Sequence, residues 1–396
     1  MEDTSNNLFL HADGDSFFVA CELTLRPELK GKPVIVGEDR GIAVAMSPEA
    51  KKMGVTRGMP IFQIKNLFPE VVILPHHFDL YNNISNGMHE ILQSYCQTIE
   101  VYSIDECFAI VRPHDVKYFG GEKKLLLELK KEIEEKLRVT YSFGLARTKA
   151  LAKQASKLEK PNGLVVLLSK EEEERALRAT PIDDIWGIGK QTVPHLVKLG
   201  LKNAYDFVKY PIKEIEKNFS EPVLNLKREL AGESIFEVEG NIDPRDQRSI
   251  QSTSTFRPPS MSSEVIWREI SQNTEQACKN ARDINLVSNK VSFFLKNSDF
   301  KYYFDEVKFT FYTRDPGVIL NAIEPNFSRL VKNKGRIRST GVLLHNLIRE
   351  EKAPRDLFGK QDKEIGILVV EAAADEIRRK YGDDVIIRAA SLKKKK

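Results

Sequence analysis

Cysteine is scarce in this 396-residue chain, and its four copies, Cys21, Cys96, Cys107 and Cys278, are scattered. They lack both the paired spacing of a zinc site and the density of a disulfide-stapled secreted scaffold, and are expected as small core residues. The seven histidines form no ligand pattern with them, and His76 with His77 is expected in a loop. No apolar run is long enough to span a bilayer, and the opening MEDTSNN has neither the basic nor the apolar region of a signal peptide. A cytoplasmic location without a membrane partner is therefore expected. Net charge is small as well, at +4, so nucleic-acid binding can be read only from where the charge sits.

Carboxylates are present in an informative pattern. In Ser103–Phe108 (SIDECF), Asp105 and Glu106 lie between the apolar residues Ile99 and Val101 on one side and Phe108, Ile110 and Val111 on the other. Neighbours in a straight strand point to opposite faces, so the two reach one ion only at a bend, which a hairpin tip supplies. Taken alone, the pair also reads as a solvated acidic turn. A third carboxylate, Asp13, stands at the end of the short apolar strand Leu8–Leu10. Three carboxylates from separate strands make a hard oxygen site suited to Mg²⁺, with water and substrate phosphates completing the shell, as two-metal phosphoryl transfer requires.

The length fits two to four domains with substantial cores. Patterning predicts strands near 7–12, 99–103, 107–112 and 139–145, and helices near 79–96 and 122–138, the latter with Leu126, Leu129, Ile133 and Leu137 on one face. This alternation reads as a split βαβ palm of ferredoxin type. Residues 169–237 read as mostly helical, and the polar stretch Glu239–Gln247 as a linker. Beyond it, strands are expected at 291–295, 307–312 and 337–344, and helices near 263–282 and 363–380. Between Arg245 and Ile348, 16 Lys or Arg stand against 10 Asp or Glu, an excess of 6 that concentrates positive charge in this region. The four lysines from Lys393 read as a solvated tail.

The runs His11–Glu22 (HADGDSFFVACE), Ser103–Phe108 (SIDECF), Ser142–Lys149 (SFGLARTK) and Lys160–Gly163 (KPNG), in this order and spacing, resemble the Y-family, lesion-bypass DNA polymerases in their bacterial form. The resemblance covers roughly residues 7–347. It implies an α+β right-hand polymerase. A ferredoxin-like palm would span 1–18 and 77–168, small fingers 19–76, a helical thumb with a helix-hairpin-helix 169–237, a linker 238–247, an α+β little finger 248–348 and a tail 349–396. The implied activity is that of a DNA-directed DNA polymerase, a monomer using two Mg²⁺ ions, primer–template DNA and deoxynucleoside triphosphates, with low fidelity and a role in DNA-damage tolerance.

By the same resemblance, Asp13, Asp105 and Glu106 are the catalytic metal ligands, joined by the Gly14 carbonyl. Phe18 is the steric gate against the nucleotide sugar, exposed in the site, with Phe17 beside it expected in the core. Lys160 contacts the triphosphate. Where the family commonly has Ser-Tyr-Glu-Ala-Arg, this chain has Ser47, Pro48, Glu49, Ala50 and Lys51: Pro48 offers no hydroxyl, and Lys51 keeps the charge without the bidentate fork. Ile42–Ala45 would cover the nascent base pair. Gly187, Gly189 and Lys190, in the turn Ile185–Lys190, are expected to meet a phosphate backbone, as are Arg336 and Arg338 on one strand face. Arg355–Phe358 is similar to the end of the peptide with which bacterial members dock on the sliding clamp, through Leu357 and Phe358, although Pro354 replaces the usual Gln.

Three rivals are set against this reading. Asp13-Gly14-Asp15 also resembles the aspartate pair of haloacid-dehalogenase-type phosphatases, which have no place for the SIDECF hairpin. A nucleotidyl cyclase shares a palm and a carboxylate pair but needs neither the Ile185–Lys190 turn nor a basic extra domain. A non-catalytic DNA-binding protein would be expected to shed charges that are costly to crowd together without a metal.

Overall fold

A computed structural model describes residues 7–38, 41–240 and 244–354, with short stretches between 370 and 386. The chain divides into two compact units, Met1–Asn241 and Ile242–Lys396. Leu357, Phe358 and the lysines from Lys393 lie outside the described residues.

The strands of the first unit are, in chain order, β1 (Leu8–Gly14), β2 (Val34–Val36), β3 (Ala45–Met46), β4 (Val72–Leu74), β5 (Thr98–Val101), β6 (Glu106–Val111), β7 (Tyr141–Ala146) and β8 (Leu164–Leu167). The larger sheet runs β5-β6-β1-β7-β8. Its first four strands and the helices Phe78–Tyr95 and Glu122–Leu137 follow the βαββαβ order of a ferredoxin-like fold, with β8 added parallel to β7. Both helices bury an apolar face, Tyr81, Met88 and Leu92 from one and Leu125, Leu126, Leu129 and Ile133 from the other, against Leu10, Ala12 and Phe143 of the sheet. Leu137, expected on that face, is half-buried at the helix end.

The opposite sheet face is covered by the helix Lys149–Leu158. Close approach requires Gly144 on β7, because a Cβ there would lie 2.1 Å from the Ala152 carbonyl oxygen. Beyond this helix the same core continues through the short helices of residues 170–230, so that Phe9, Leu151, Leu177, Phe207 and Leu226 belong to one apolar cluster.

The smaller sheet, β3-β2-β4, forms its own core with Ala50, Ile61 and Ile64. Pro48 fits here for a backbone reason: it opens the helix Pro48–Lys52, where a missing N–H costs nothing, and the Ser47 hydroxyl caps that helix by accepting from the Ala50 N–H at 3.2 Å.

The second unit contains β9 (Ser249–Ser260), β10 (Leu286–Asn297), β11 (Tyr302–Thr313), β12 (Ile337–His345) and the short β13 (Ile348–Arg349). The main sheet runs β11-β10-β12-β9. Helices Ser263–Asp283 and Pro316–Leu330 pack their apolar sides on Val291, Phe293, Leu295, Val342 and Leu344. Two elements differ from expectation. β9 is rich in Ser and Thr and holds Pro258 and Pro259, which an edge strand tolerates. The helix Pro316–Leu330 carries an internal Pro325 and starts at an Asp315 cap whose Oδ1 accepts from the Gly317 N–H at 2.6 Å. Of the helix expected near 363–380, the described residues 370, 373–378 and 380 are helical. All four cysteines are free and buried, as expected.

Candidate active site

The antiparallel register of β1 with β6 sets Asp13 directly opposite Glu106. Side chains of opposed residues share a face, so the two carboxylates are neighbours by construction. Asp105 stands just before β6, in a tight turn where the Tyr102 and Ser103 N–H groups both donate to the Glu106 carbonyl at 3.1 Å. The turn is tied to β1 by the Gly14 N–H, which donates to the Asp105 carbonyl at 2.9 Å, and the Ser103 hydroxyl donates to Asp105 Oδ1 at 2.5 Å.

Asp13, Gly14, Asp105, Glu106, Lys51 and Lys160 line one cavity of about 710 Å³ in the first unit. Phe17 and Phe18 belong to its wall too, in different ways. Phe17 is 3% exposed and packs edge-on against Tyr141, a core residue as expected. Phe18 is half-buried rather than exposed, because its ring stacks on Tyr81 with centroids 4.5 Å apart. Tyr81 is held in turn by donating its hydroxyl to Glu22 at 2.7 Å. Val44, Ala45 and Met46 supply the facing wall.

Two lysines balance the carboxylates. Lys160 donates to Asp13 Oδ1, and Lys153 donates to both oxygens of Glu106 at 2.8 and 2.9 Å. Burial raises the Asp13 carboxyl from 3.8 to about 6, Glu106 and Asp105 push the same way, and Lys160 opposes them. Asp15, two residues on, has a different task. Its oxygens accept from the Ser142 hydroxyl and the Asn162 N–H, both at 2.7 Å, which ties the loop carrying Lys160 to β7.

The sequence reading omitted three residues that the fold brings here. His11, fully buried, offers a ring nitrogen within 4.8 Å of oxygens of Asp13 and Glu106. Because the Ser156 hydroxyl donates to the Lys153 carbonyl at 3.0 Å, it accepts from His11 Nδ1 at 2.7 Å; the neutral ring then leaves Nε2 without a protein partner. Burial, and after it the surrounding lysines, hold this imidazole well below the ordinary histidine range. The period-two alternation of β1 was the available signal, since it puts His11 on the face of Asp13. Arg57 reaches the cavity from the turn Gly54–Gly58, whose flanking glycines were its signal. Lys153 had none beyond its place on a helix.

This donor set fits a divalent cation. The Asp13 and Glu106 oxygens converge, and Asp105 lines the same cavity outside that closest group. Burial with the neighbouring carboxylates resists ionisation of Asp13 in a way a bound cation would relieve, and the cavity can take a ligand's phosphates.

None of the remaining expected contact residues lines this cavity. In the turn Ile185–Lys190, Ile185 and Ile188 are buried while Gly187, Gly189 and Lys190 are exposed; Gly187 has φ +84°, which requires glycine. In the second unit Arg338 lies within β12, its guanidinium 4.7 Å from the Phe300 ring centre. Arg336 is exposed but precedes β12, so the two do not alternate along one regular strand: the chain enters the sheet only at Ile337, and the Arg336 carbonyl accepts from the Ser298 N–H instead. Among the described residues no helix is long and apolar enough to cross a membrane.

Comparison with known proteins agrees with this architecture. Residues 12–157 match the impB/mucB/samB family, and residues 247–357 match its C-terminal domain. A DNA polymerase IV of Desulfatibacillum aliphaticivorans is 30% identical over 352 residues, covering 87% of this chain and 86% of that protein. The protein UmuC of Salmonella typhimurium is 28% identical over 393 residues, covering 95% and 91%. Among solved structures, a Y-family DNA polymerase chimera of Dbh and Dpo4 matches with a TM-score of 0.72 at 26% identity, covering 86% of this chain and 99% of that one. With two domains matched in order and carboxylates gathered on a ferredoxin-like sheet, the chain belongs to the impB/mucB/samB family of Y-family DNA polymerases.

Proposed function

We propose that this protein extends a DNA primer on a template, with low fidelity and across damaged bases, at the cavity lined by Asp13, Asp105 and Glu106. The observation that carries the reading is the pairing of Asp13 with Glu106 across β1 and β6, with Lys160 at the same cavity. Two Mg²⁺ ions held by these carboxylates and the Gly14 carbonyl would lower the pKa of the primer 3′-hydroxyl and offset charge growing on the α-phosphate.

The chain's own residues do the rest. Lys160 turns from Asp13 toward the triphosphate once that carboxylate is otherwise neutralised, placing a point charge beside the leaving diphosphate. Lys51 supplies a second cation from the opposite wall. Phe18, fixed by its stack on Tyr81, presents a ring edge where a 2′-hydroxyl would collide. Val44 and Ala45 give a wall of modest side chains over the nascent pair, and a loose wall discriminates poorly between correct and distorted pairs. Gly187, Gly189 and Lys190 in the first unit, and Arg336 and Arg338 in the second, contact phosphates and set register rather than sequence. Clamp docking through Leu357 and Phe358 and a monomeric state complete the reading.

The test is primer extension on matched damaged and undamaged templates. Wild type should extend both; Asp105→Ala and Glu106→Ala should abolish nucleotide addition while DNA binding stays within about twofold. Extension retained by either variant refutes the site.

A further inference from the structure

The Glu106 carboxylate faces the cavity on one side and a built cationic pocket on the other. Lys153, only 5% exposed, donates to both Glu106 oxygens. Its ammonium sits among aromatic faces, 4.5 Å from the ring centre of Tyr102, 5.4 Å from Trp186 and 5.9 Å from Phe108. The box is closed by a hydrogen bond from Trp186 Nε1 to the Tyr102 hydroxyl at 3.1 Å and backed by Phe236, edge-on to Trp186 at 5.7 Å. An ammonium on a flexible four-carbon stem seldom has a fixed position; here the rings supply one by cation–π attraction. One turn earlier on the same helix, Lys149 is spent on Glu100, outside the cavity lining. Lys153 is the member of the pair whose acceptor is a proposed metal ligand.

We propose that Lys153 is the positioning residue of Glu106 and its resident counter-ion, held in place by the Tyr102–Phe108–Trp186 box, so that a divalent cation binds weakly until a nucleotide's phosphates add negative charge. This rests on the reading of Glu106 as a metal ligand. Two consequences separate it from a merely structural lysine. A fixed positive charge directly behind the ligand repels an arriving cation, so removing it tightens ion binding, whereas loss of packing would loosen it. Filling the site with an ion lessens the pull of Glu106 on the ammonium, and the indole of Trp186 senses the change.

The test uses the full chain without DNA or nucleotide. Mn²⁺ binding is followed by electron paramagnetic resonance in wild type, Lys153→Met, Lys153→Arg and Glu106→Gln, and Trp186 emission is followed on adding Mg²⁺, with Trp186→Phe subtracted. Lys153→Met should bind Mn²⁺ roughly tenfold more tightly than wild type, and Lys153→Arg, which keeps the charge, within about threefold of it. Wild-type Trp186 emission should move with Mg²⁺, and that of Lys153→Met should not. If Glu106→Gln weakens Mn²⁺ binding but Lys153→Met fails to tighten it, the counter-ion role is overturned while the metal ligand stands. If Glu106→Gln leaves binding unchanged, the ligand assignment falls and takes this proposal with it. Should Lys153→Met not fold, wild-type Trp186 emission unmoved by saturating Mg²⁺ overturns the proposal alone.

Discussion

Replacing Asp13 with Asn should make the ion-free protein more stable at neutral pH while removing its activity. Burial, with Glu106 and Asp105 behind it, raises this carboxyl from 3.8 to about 6 despite the Lys160 ammonium. A carboxyl that holds its proton more tightly in the folded state contributes stability that is complete below pH 3.8 and is lost as pH rises through about 6. At about 1.4 kcal/mol per pH unit, ionised Asp13 costs the folded state about 3 kcal/mol above that range. Asn matches the protonated carboxyl in shape and charge and escapes the penalty, and the Lys160 contact needs no further subtraction because its pull on the ionised carboxylate is already contained in that net shift. The assay is urea unfolding of the full chain in chelator, at about pH 7.5 and again near pH 4.5, followed by tryptophan emission. Asp13→Asn should gain about 3 kcal/mol at the higher pH and only about 1 kcal/mol at the lower. Saturating Mg²⁺ should reverse the ranking, because only wild type offers the full ligand set. An Asp13→Asn protein no more stable than wild type at the higher pH, or equally stabilised at both, would refute the reasoning.

Phe18→Ala opens the cavity wall beside Tyr81, so selection against ribonucleotides, measured as the ratio of kcat/KM values, should fall roughly tenfold or more; an unchanged ratio removes the gate assignment. Gly144→Ala places a methyl group 2.1 Å from the Ala152 oxygen and 2.4 Å from the Ser156 nitrogen, forcing the helix that bears Lys153 off β7. A loss of about 3 kcal/mol is expected on chemical denaturation, and a loss under about 1 kcal/mol would mean the helix yields freely. Lys51→Arg restores a forked donor at the cavity, and the nucleotide KM should fall several-fold with kcat nearly constant. If KM stays put, Lys51 does not meet the triphosphate.

The ferredoxin-like sheet was legible because its signals are local and agree with one another. Leu126, Leu129 and Ile133 recur at helical spacing and are buried together, and Asp105-Glu106 interrupts two alternating runs that do become β5 and β6. β9 was not legible because its core face is sparse: from Ser249 to Ser260, Ile250 is the one fully buried apolar residue, and the strand is held by pairing with β12. Propensity and period both fall silent on such a strand, and only the neighbour defines it. The helix Pro316–Leu330 was hidden by Pro325, which reads as a breaker in isolation yet sits within the helix here.

At the site, the legible part was the set of residues whose chemistry is costly without a purpose, Asp13, Asp105 and Glu106. What stayed hidden was the pairing of these carboxylates with the lysines that make the set tolerable when no ion is bound, Lys160 having been read only as a triphosphate contact. Lys153 is 47 residues from Glu106, and Lys160 is 147 from Asp13, so no spacing rule links either pair. The helix Lys149–Leu158 creates the first pairing by lying across the face of the sheet that carries Asp13 and Glu106, and Gly144 lets it lie close enough. The SFGLARTK run is therefore a structural part of the carboxylate site although none of its side chains lines the cavity. Its glycine sets how closely the helix can approach the sheet, and that spacing in turn sets the distance from the Lys153 ammonium to Glu106. A substitution that moved the helix outward would leave every proposed ligand in place and still change how tightly the site holds its ion.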